Sequence, residues 1–256
     1  MMRHLSLAFM MTFAVCFLHA QSAAPSTSPS TSYLAMEQKV WTGKKWTPFG
    51  DSLTERNLRT TKAYHDYIAD FTGITIQNCG RSGTGYMRCH DTGGAFFQRV
   101  SSIDPFTDVI TIFGSGNDLN TPKLGDFASF EEALGQVTDK DTTTICGCIN
   151  HTITLIQQQF PLIPLGIVTP TPWVRSEPSD PGKKMEKYVA AIIEICRLRG
   201  VPCLDLYHCS NLHPSQASFR EKAYSKDEGN GVHPDETGHR IIAPRFKQFL
   251  ESLIMF

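Results

Sequence analysis

Phe49-Gly50-Asp51-Ser52-Leu53-Thr54 places a serine at a tight turn, after a short apolar strand candidate over 46–49 and before a helical pattern over 55–71. A serine hydroxyl is a poor nucleophile until a base takes its proton and donors hold the developing oxyanion. A strand-to-helix turn supplies part of this, because the free N–H groups of a helix start point toward negative charge. Alone, the tripeptide reads better as a helix cap. The remaining segments decide between the two readings.

Strand and helix patterns alternate from Trp46 onward. In the 55–71 pattern, Ala63, Tyr64, Tyr67, Ile68 and Phe71 share one helical face and Gly73 is a stop. A second strand is expected over 74–78, and 108–113 (DVITIF) is a β-branched buried strand. A helix follows over 142–160, ended by Pro161, then a strand over 163–168. The next helix, 183–199, carries Met185, Tyr188, Val189, Ile192, Ile193 and Cys196 on one face, before a fifth strand at 201–206. The chain closes on an amphipathic helix expected to be kinked or divided at Pro244. The long loop 120–140 has room for a short helix at 127–134 and can overhang a site. Strands alternating with helices of this length indicate an α/β fold, a parallel sheet of about five strands in a three-layer α/β/α arrangement, with ligands beyond the carboxyl ends of the strands.

Residues 1–20 carry a polar start (Arg3, His4), an apolar run over 5–18, and small residues from Ala20 onward. The run is too short to span a bilayer and reads as a cleaved signal peptide, which implies a secreted or periplasmic protein. Residues 21–40 are a Ser/Thr/Pro-rich tether and lead-in, and 41–256 form a single domain. With 24 basic against 25 acidic residues and no basic run, nucleic acid and anionic membranes are poor partners. Loss of Cys16 with the signal leaves seven cysteines, an odd number that argues against a fully paired framework while leaving one to three bridges open. Cys146 and Cys148, two apart on a helix, face differently and do not suit each other, and no zinc spacing is present. Asn150-His151-Thr152 is a glycosylation sequon.

Three loops follow strands on one rim. Ser52 follows the first, Gly80-Arg81-Ser82-Gly83-Thr84-Gly85 the second, and Gly114-Ser115-Gly116-Asn117-Asp118 the third. His233, in Gly229-Asn230-Gly231-Val232-His233-Pro234, precedes the last helix on the same rim. In these blocks the sequence resembles the SGNH/GDSL hydrolases, serine esterases and lipases on a flavodoxin-like fold, from about Trp46 to the end of the chain. The resemblance implies Ser52 as nucleophile, His233 as general base and later acid, and an oxyanion hole made by the N–H groups of Ser52 and Gly83 with the side-chain amide of Asn117. It implies neither metal nor organic cofactor.

Two positions depart from the family pattern. Ser115 stands where a glycine is usual, and Asn230 stands where an aspartate usually orients the histidine. Asn230 is therefore the catalytic candidate for holding His233, with Asp227 as an alternative orienting acid and a backbone carbonyl as a third arrangement. Asp51 and Asp118 read as loop-bracing residues, and His239 as a solvated or capping residue of the last helix. Tyr86, Trp173 and His208 are candidate substrate contacts in rim loops. Export and the lack of a long apolar lid point to an ester substrate with short acyl groups, chiefly O-acetyl groups on carbohydrate. A lipase, lysophospholipase or thioesterase acting on longer chains, and a catalytically weak esterase retained as a glycan-binding module, are the alternatives.

Overall fold

The computed structural model describes residues 40–56, 59–88, 94–120, 127–174, 180–226 and 231–254. The expected signal peptide and tether, and the catalytic candidates Asn230 and Asp227, lie outside the described residues.

The sheet is parallel throughout. Strand β1 (Lys45–Gly50) is followed by helix α1 (Tyr64–Thr72), and then by two short strands, β2 (Thr75–Ile76) and β3 (Cys79–Gly80). Both pair with β1 on the same side, so together they make one interrupted edge strand. Helix α2 (Phe96–Arg99) leads into β4 (Val109–Phe113), α3 (Phe130–Leu134) and α4 (Ile145–Gln159). Strand β5 (Leu165–Val168), helix α5 (Asp180–Arg199), β6 (Cys203–Leu204), α6 (Leu206–Cys209), α7 (Ala217–Ala223) and α8 (Glu236–Ile254) complete the order. Spatially the strands run β2-β1-β4-β5-β6, five tracks as expected, in the flavodoxin-like order that reverses direction at β1.

The alternation of β4 explains the layers. Val109 and Phe113 face α1 and α8, where Phe246 stacks on Tyr64 at 4.4 Å and Trp46 packs beside both. Ile110 and Ile112 face the opposite layer, built from Ile149, Ile153 and Ile156 of α4 and Tyr188, Val189 and Ile192 of α5. Both faces are dry, which is why the strand reads as an uninterrupted apolar run.

Several expectations are corrected. The helical pattern over 55–71 yields a helix only from Tyr64. Glu55 is pulled toward the β3 loop by the Ser82 N–H (2.8 Å) and hydroxyl, and the Thr54 carbonyl accepts from Asn78 Nδ2 (2.8 Å) rather than from a helical N–H. The Thr60 hydroxyl bonds the backbone of Lys62, the local competition that keeps threonine out of helix interiors. Phe71 is half exposed rather than in the core. Pro244 neither divides nor ends α8; it lies on the exposed side, where water can satisfy the carbonyl its missing N–H would have met. Helix α3 falls within the 127–134 span expected to hold a short helix and packs against α4. The sequon asparagine is buried inside α4, its amide donating to the carbonyls of Val137, Asp139 and Cys146, so it is inaccessible to a glycan. His239 is also buried: its Nδ1 accepts the Tyr64 N–H and its ring stacks on Tyr64.

Burial, reinforced by the neighbouring His65 and His233, pushes the His239 pKa down to about 3. The folded state therefore refuses a proton that the unfolded chain accepts below about pH 6.5, and stability falls as pH drops from there toward 3. Replacing His239→Gln, which keeps an acceptor for Tyr64, should flatten this dependence. Between pH 6.5 and 4.5, chemical denaturation should show the wild type losing about 2–3 kcal/mol more than the variant.

Candidate active site

Ser52 leaves the carboxyl end of β1 in a turn closed by two bonds to the Asp51 carbonyl, from Thr54 N (3.1 Å) and Glu55 N (2.9 Å). The expected helix start beneath Ser52 is absent, and the turn alone presents the side chain. Gly50 is required by packing: a Cβ there would lie 2.4 Å from Thr54 Oγ1 and 2.5 Å from the Phe113 carbonyl. Ser52 Oγ stands 2.8 Å from His233 Nε2, a bond joining positions 181 residues apart.

His233 is held from both sides. Its carbonyl accepts Ser225 N (2.9 Å), Pro234 forms an antiparallel bridge with Tyr224, and α8 begins at Glu236. Gly231 adopts φ +61°, and a Cβ there would strike Val174 at 2.3 Å, so only glycine brings the loop this close to the segment after β5.

Asn117, at the end of β4, donates from Nδ2 to the Thr84 carbonyl (3.0 Å) and faces Asp51 Oδ2 at 3.4 Å. Gly83, in left-handed backbone at φ +74°, immediately precedes Thr84. The amide of Asn117 and the loop of Gly83 are thus tied to each other directly. Ser115, the departure from the family pattern, is fully buried and used: its hydroxyl donates to the Thr84 carbonyl (2.9 Å) and accepts Asn117 N (3.1 Å).

Asp51 and Asp118 brace this floor. Burial raises the Asp51 pKa to about 6, against the opposing bonds from Ser115 and Leu53 N. Asp118 accepts the N–H groups of Tyr86 (2.9 Å), Met87 (2.9 Å) and Arg88 (2.8 Å) and the Tyr188 hydroxyl (2.8 Å). Burial pushes its pKa upward as well, with those donors pulling the other way. Tyr188 in turn accepts Ser115 N (3.3 Å), linking α5 to the β4 turn.

Ser52, Asn117 and Trp173 line one cavity of about 10 Å³, together with Leu53, Pro170 and Val232. That volume holds roughly one water-sized group. Trp173 packs so tightly over Gly116 that a Cβ there would fall 2.0 Å from the indole. Tyr86 is not at the rim: it is fully buried against Phe96 (ring centroids 4.9 Å apart), its hydroxyl without a hydrogen-bond partner among the described residues. Its loop turns inward because Asp118 collects the backbone N–H groups there. His208 is on the rim but outside the cavity lining, its Nδ1 2.6 Å from Asp205 Oδ2. Among the described residues, no group of three or more His, Cys, Asp or Glu side chains is placed to hold a metal, and no helix is long and apolar enough to cross a membrane.

Sequence reasoning missed Arg99. Its guanidinium donates to the carbonyls of Gly50 and Cys79 (both 3.0 Å) and to Thr84 Oγ1 (3.2 Å), and lies 4.5 Å from the Phe49 ring. No local motif marks it, since its partners come from three distant turns.

The family model of the GDSL-like Lipase/Acylhydrolase family matches residues 49–241. Among solved structures, a Lactobacillus plantarum protein is similar at 26% identity and TM-score 0.67, over 82% of this chain and 97% of its own. A possible lipase from Chitinophaga pinensis follows at 20% identity and TM-score 0.57, over 82% and 98%. An acetylxylan esterase from Geobacillus stearothermophilus, in a catalytic mutant, aligns at 17% identity and TM-score 0.52, over 81% and 94%. The last two likenesses show the fold alone. No curated protein matches.

Asp118→Ala strands three backbone donors and the Tyr188 hydroxyl in a buried site. Denaturant unfolding should show a loss of about 3 kcal/mol or more, with activity falling in parallel, whereas Asp118→Asn should lose less.

Proposed function

The chain belongs to the GDSL-like lipase/acylhydrolase family of ester hydrolases, and from that premise we propose that it is a secreted serine esterase removing short acyl groups, chiefly O-acetyl, from carbohydrate. The carrying observation is the 2.8 Å contact between Ser52 Oγ and His233 Nε2 beside the Asn117 amide. His233 Nε2 takes the Ser52 proton as Oγ attacks the ester carbonyl. The N–H groups of Ser52 and Gly83 and the Asn117 amide receive the oxyanion, each donor of this kind contributing about 3–4 kcal/mol. His233 then protonates the departing sugar hydroxyl, and water deprotonated by the same ring releases the acid.

His233 needs an acceptor for Nδ1, which we assign to the 227–230 segment, Asn230 by its place in the family pattern or Asp227 close by. An asparagine oxygen holds the ring but brings no charge to stabilise the imidazolium. In the serine-protease triad the corresponding Asp-to-Asn change costs about 10⁴ in kcat. Asn230→Asp should therefore raise kcat near neutral pH. An unchanged or lower rate would transfer the role to Asp227 or a backbone carbonyl.

The short-acyl preference rests on the cavity of about 10 Å³ beneath Trp173. An acetyl methyl suits such a space and a long chain does not. The sugar moiety rests on the expected export, and the likeness in fold to an acetylxylan esterase supports it.

Ser52→Ala should lower ester hydrolysis by about 10⁴-fold or more while leaving the fold intact, and a fluorophosphonate should label the wild type at Ser52 alone. No turnover on any ester and no labelling would favour the glycan-binding module. With p-nitrophenyl acetate, octanoate and palmitate, the acetate should be preferred, and Trp173→Ala should shift kcat/KM toward octanoate by about tenfold or more, the effect of one to two methylene contacts. A wild-type preference for palmitate would overturn the short-acyl assignment.

A further inference from the structure

An oxyanion hole shared by Ser52 and Gly83 requires two separate turns to aim their N–H groups at one oxygen. A misplacement of about 0.5 Å is enough to spoil such a site. Strands β1 and β3 pair as far as Gly50 and Gly80, and Arg81 N donating to the Gly50 carbonyl (3.0 Å) carries the pairing one residue further. Past that point side chains hold the two turns. The turns meet with no room for a side chain between them, since a Cβ on Gly80 would lie 2.1 Å from Glu55 N.

Arg99 spans this junction. Its Nη2 donates to the Gly50 carbonyl (3.0 Å) and to Thr84 Oγ1 (3.2 Å), and its Nη1 to the Cys79 carbonyl (3.0 Å). The Thr84 hydroxyl spends its own hydrogen on the Arg81 carbonyl (2.7 Å), which leaves its oxygen open to the guanidinium. The Thr84 carbonyl accepts the Asn117 amide (3.0 Å) and the Ser115 hydroxyl (2.9 Å). Thr84, the residue after Gly83, is thereby clamped through its side chain to Arg99 and through its main chain to Asn117. The guanidinium is itself fixed between the rings of Phe49 and Phe96, 4.5 and 5.4 Å from their centroids. Arg99 does not line the cavity beside Ser52, so it acts on the reaction only through the turns it holds.

We propose that Arg99 is a positioning residue for the oxyanion hole, setting the Gly83 loop against the serine turn so that the N–H groups of Ser52 and Gly83 converge on one oxygen with the Asn117 amide. This role rests on the serine-esterase reading. A planar guanidinium fork suits three acceptors held by two turns, and a lysine ammonium, a point charge on a flexible stem, does not. Because the oxyanion forms only on the way to the tetrahedral intermediate, a misset hole lowers kcat and leaves KM in place. A residue that merely supported the fold would lower Tm and leave the kcat of each folded molecule unchanged.

The test measures kcat and KM on p-nitrophenyl acetate per folded enzyme, together with the inhibition constant of phenylboronic acid, which binds Ser52 Oγ through boron and copies the tetrahedral oxyanion. In Arg99→Lys, kcat should fall by about 100-fold with KM little changed, and the boronic acid constant should rise in step. Arg99→Ala should show the same pattern, with millimolar guanidinium, but not ammonium, restoring part of kcat. Thr84→Val, which keeps the arginine and removes its hydroxyl acceptor, should lose about tenfold in the same way. An active wild type whose folded variants keep kcat, or lose efficiency through KM alone, would overturn this role and leave the esterase reading standing. If neither Arg99 variant folds, Thr84→Val decides alone. A wild type without turnover on any ester would overturn the esterase reading, and the positioning role with it.

Discussion

A single guanidinium joins the turns on which the site is built. Arg99, partly buried at the end of a four-residue helix, donates to the ends of β1 and β3 and to the loop that follows β3. Burial draws its pKa down to about 10, so it stays charged at neutral pH, and bonds from a charged donor are about twice as strong as neutral ones. The rings of Phe49 and Phe96 cover its faces, at 4.5 and 5.4 Å. These contacts hold Gly50, Cys79 and Thr84 together, so the serine turn and the Gly83 loop share one frame.

Behind that frame a chain of side-chain hydrogen bonds continues. Ser115 bonds Thr84 and Asn117, Tyr188 bonds Ser115 and Asp118, and Asp118 gathers three consecutive backbone N–H groups. Low-dielectric surroundings make each such bond stronger and each missing partner more costly. The network positions the Asn117 amide beside Ser52 without any part of it reaching the cavity there except Asp51 and Asn117 themselves.

The parts of the fold that were legible in the sequence are those governed by repetition. Strand β4 announced itself through five consecutive buried residues, and α4 and α5 through apolar positions at helical spacing. Ser52, Gly83, Asn117 and His233 were legible because each lies in a short loop block after a strand or before a helix. The failures share a cause: groups far apart in the chain outbid local preference. A helical pattern starts at Glu55, yet Asn78 Nδ2 takes the Thr54 carbonyl and Ser82 N the Glu55 carboxylate. Tyr86 is a loop aromatic by sequence and a core residue by virtue of Asp118. Asn150 fits a sequon that its helix buries.

By itself the sequence determined the order of strands and helices and the parallel sheet, because hydrophobic period and turn chemistry act over a few neighbours, and it singled out Ser52, Gly83, Asn117 and His233 as candidates. Only the tertiary structure decided that Ser52 Oγ meets His233 Nε2 across 181 residues and that Trp173 narrows the space beside them. Those distances depend on how sheet, turns and helices pack as a whole, and no local segment encodes them.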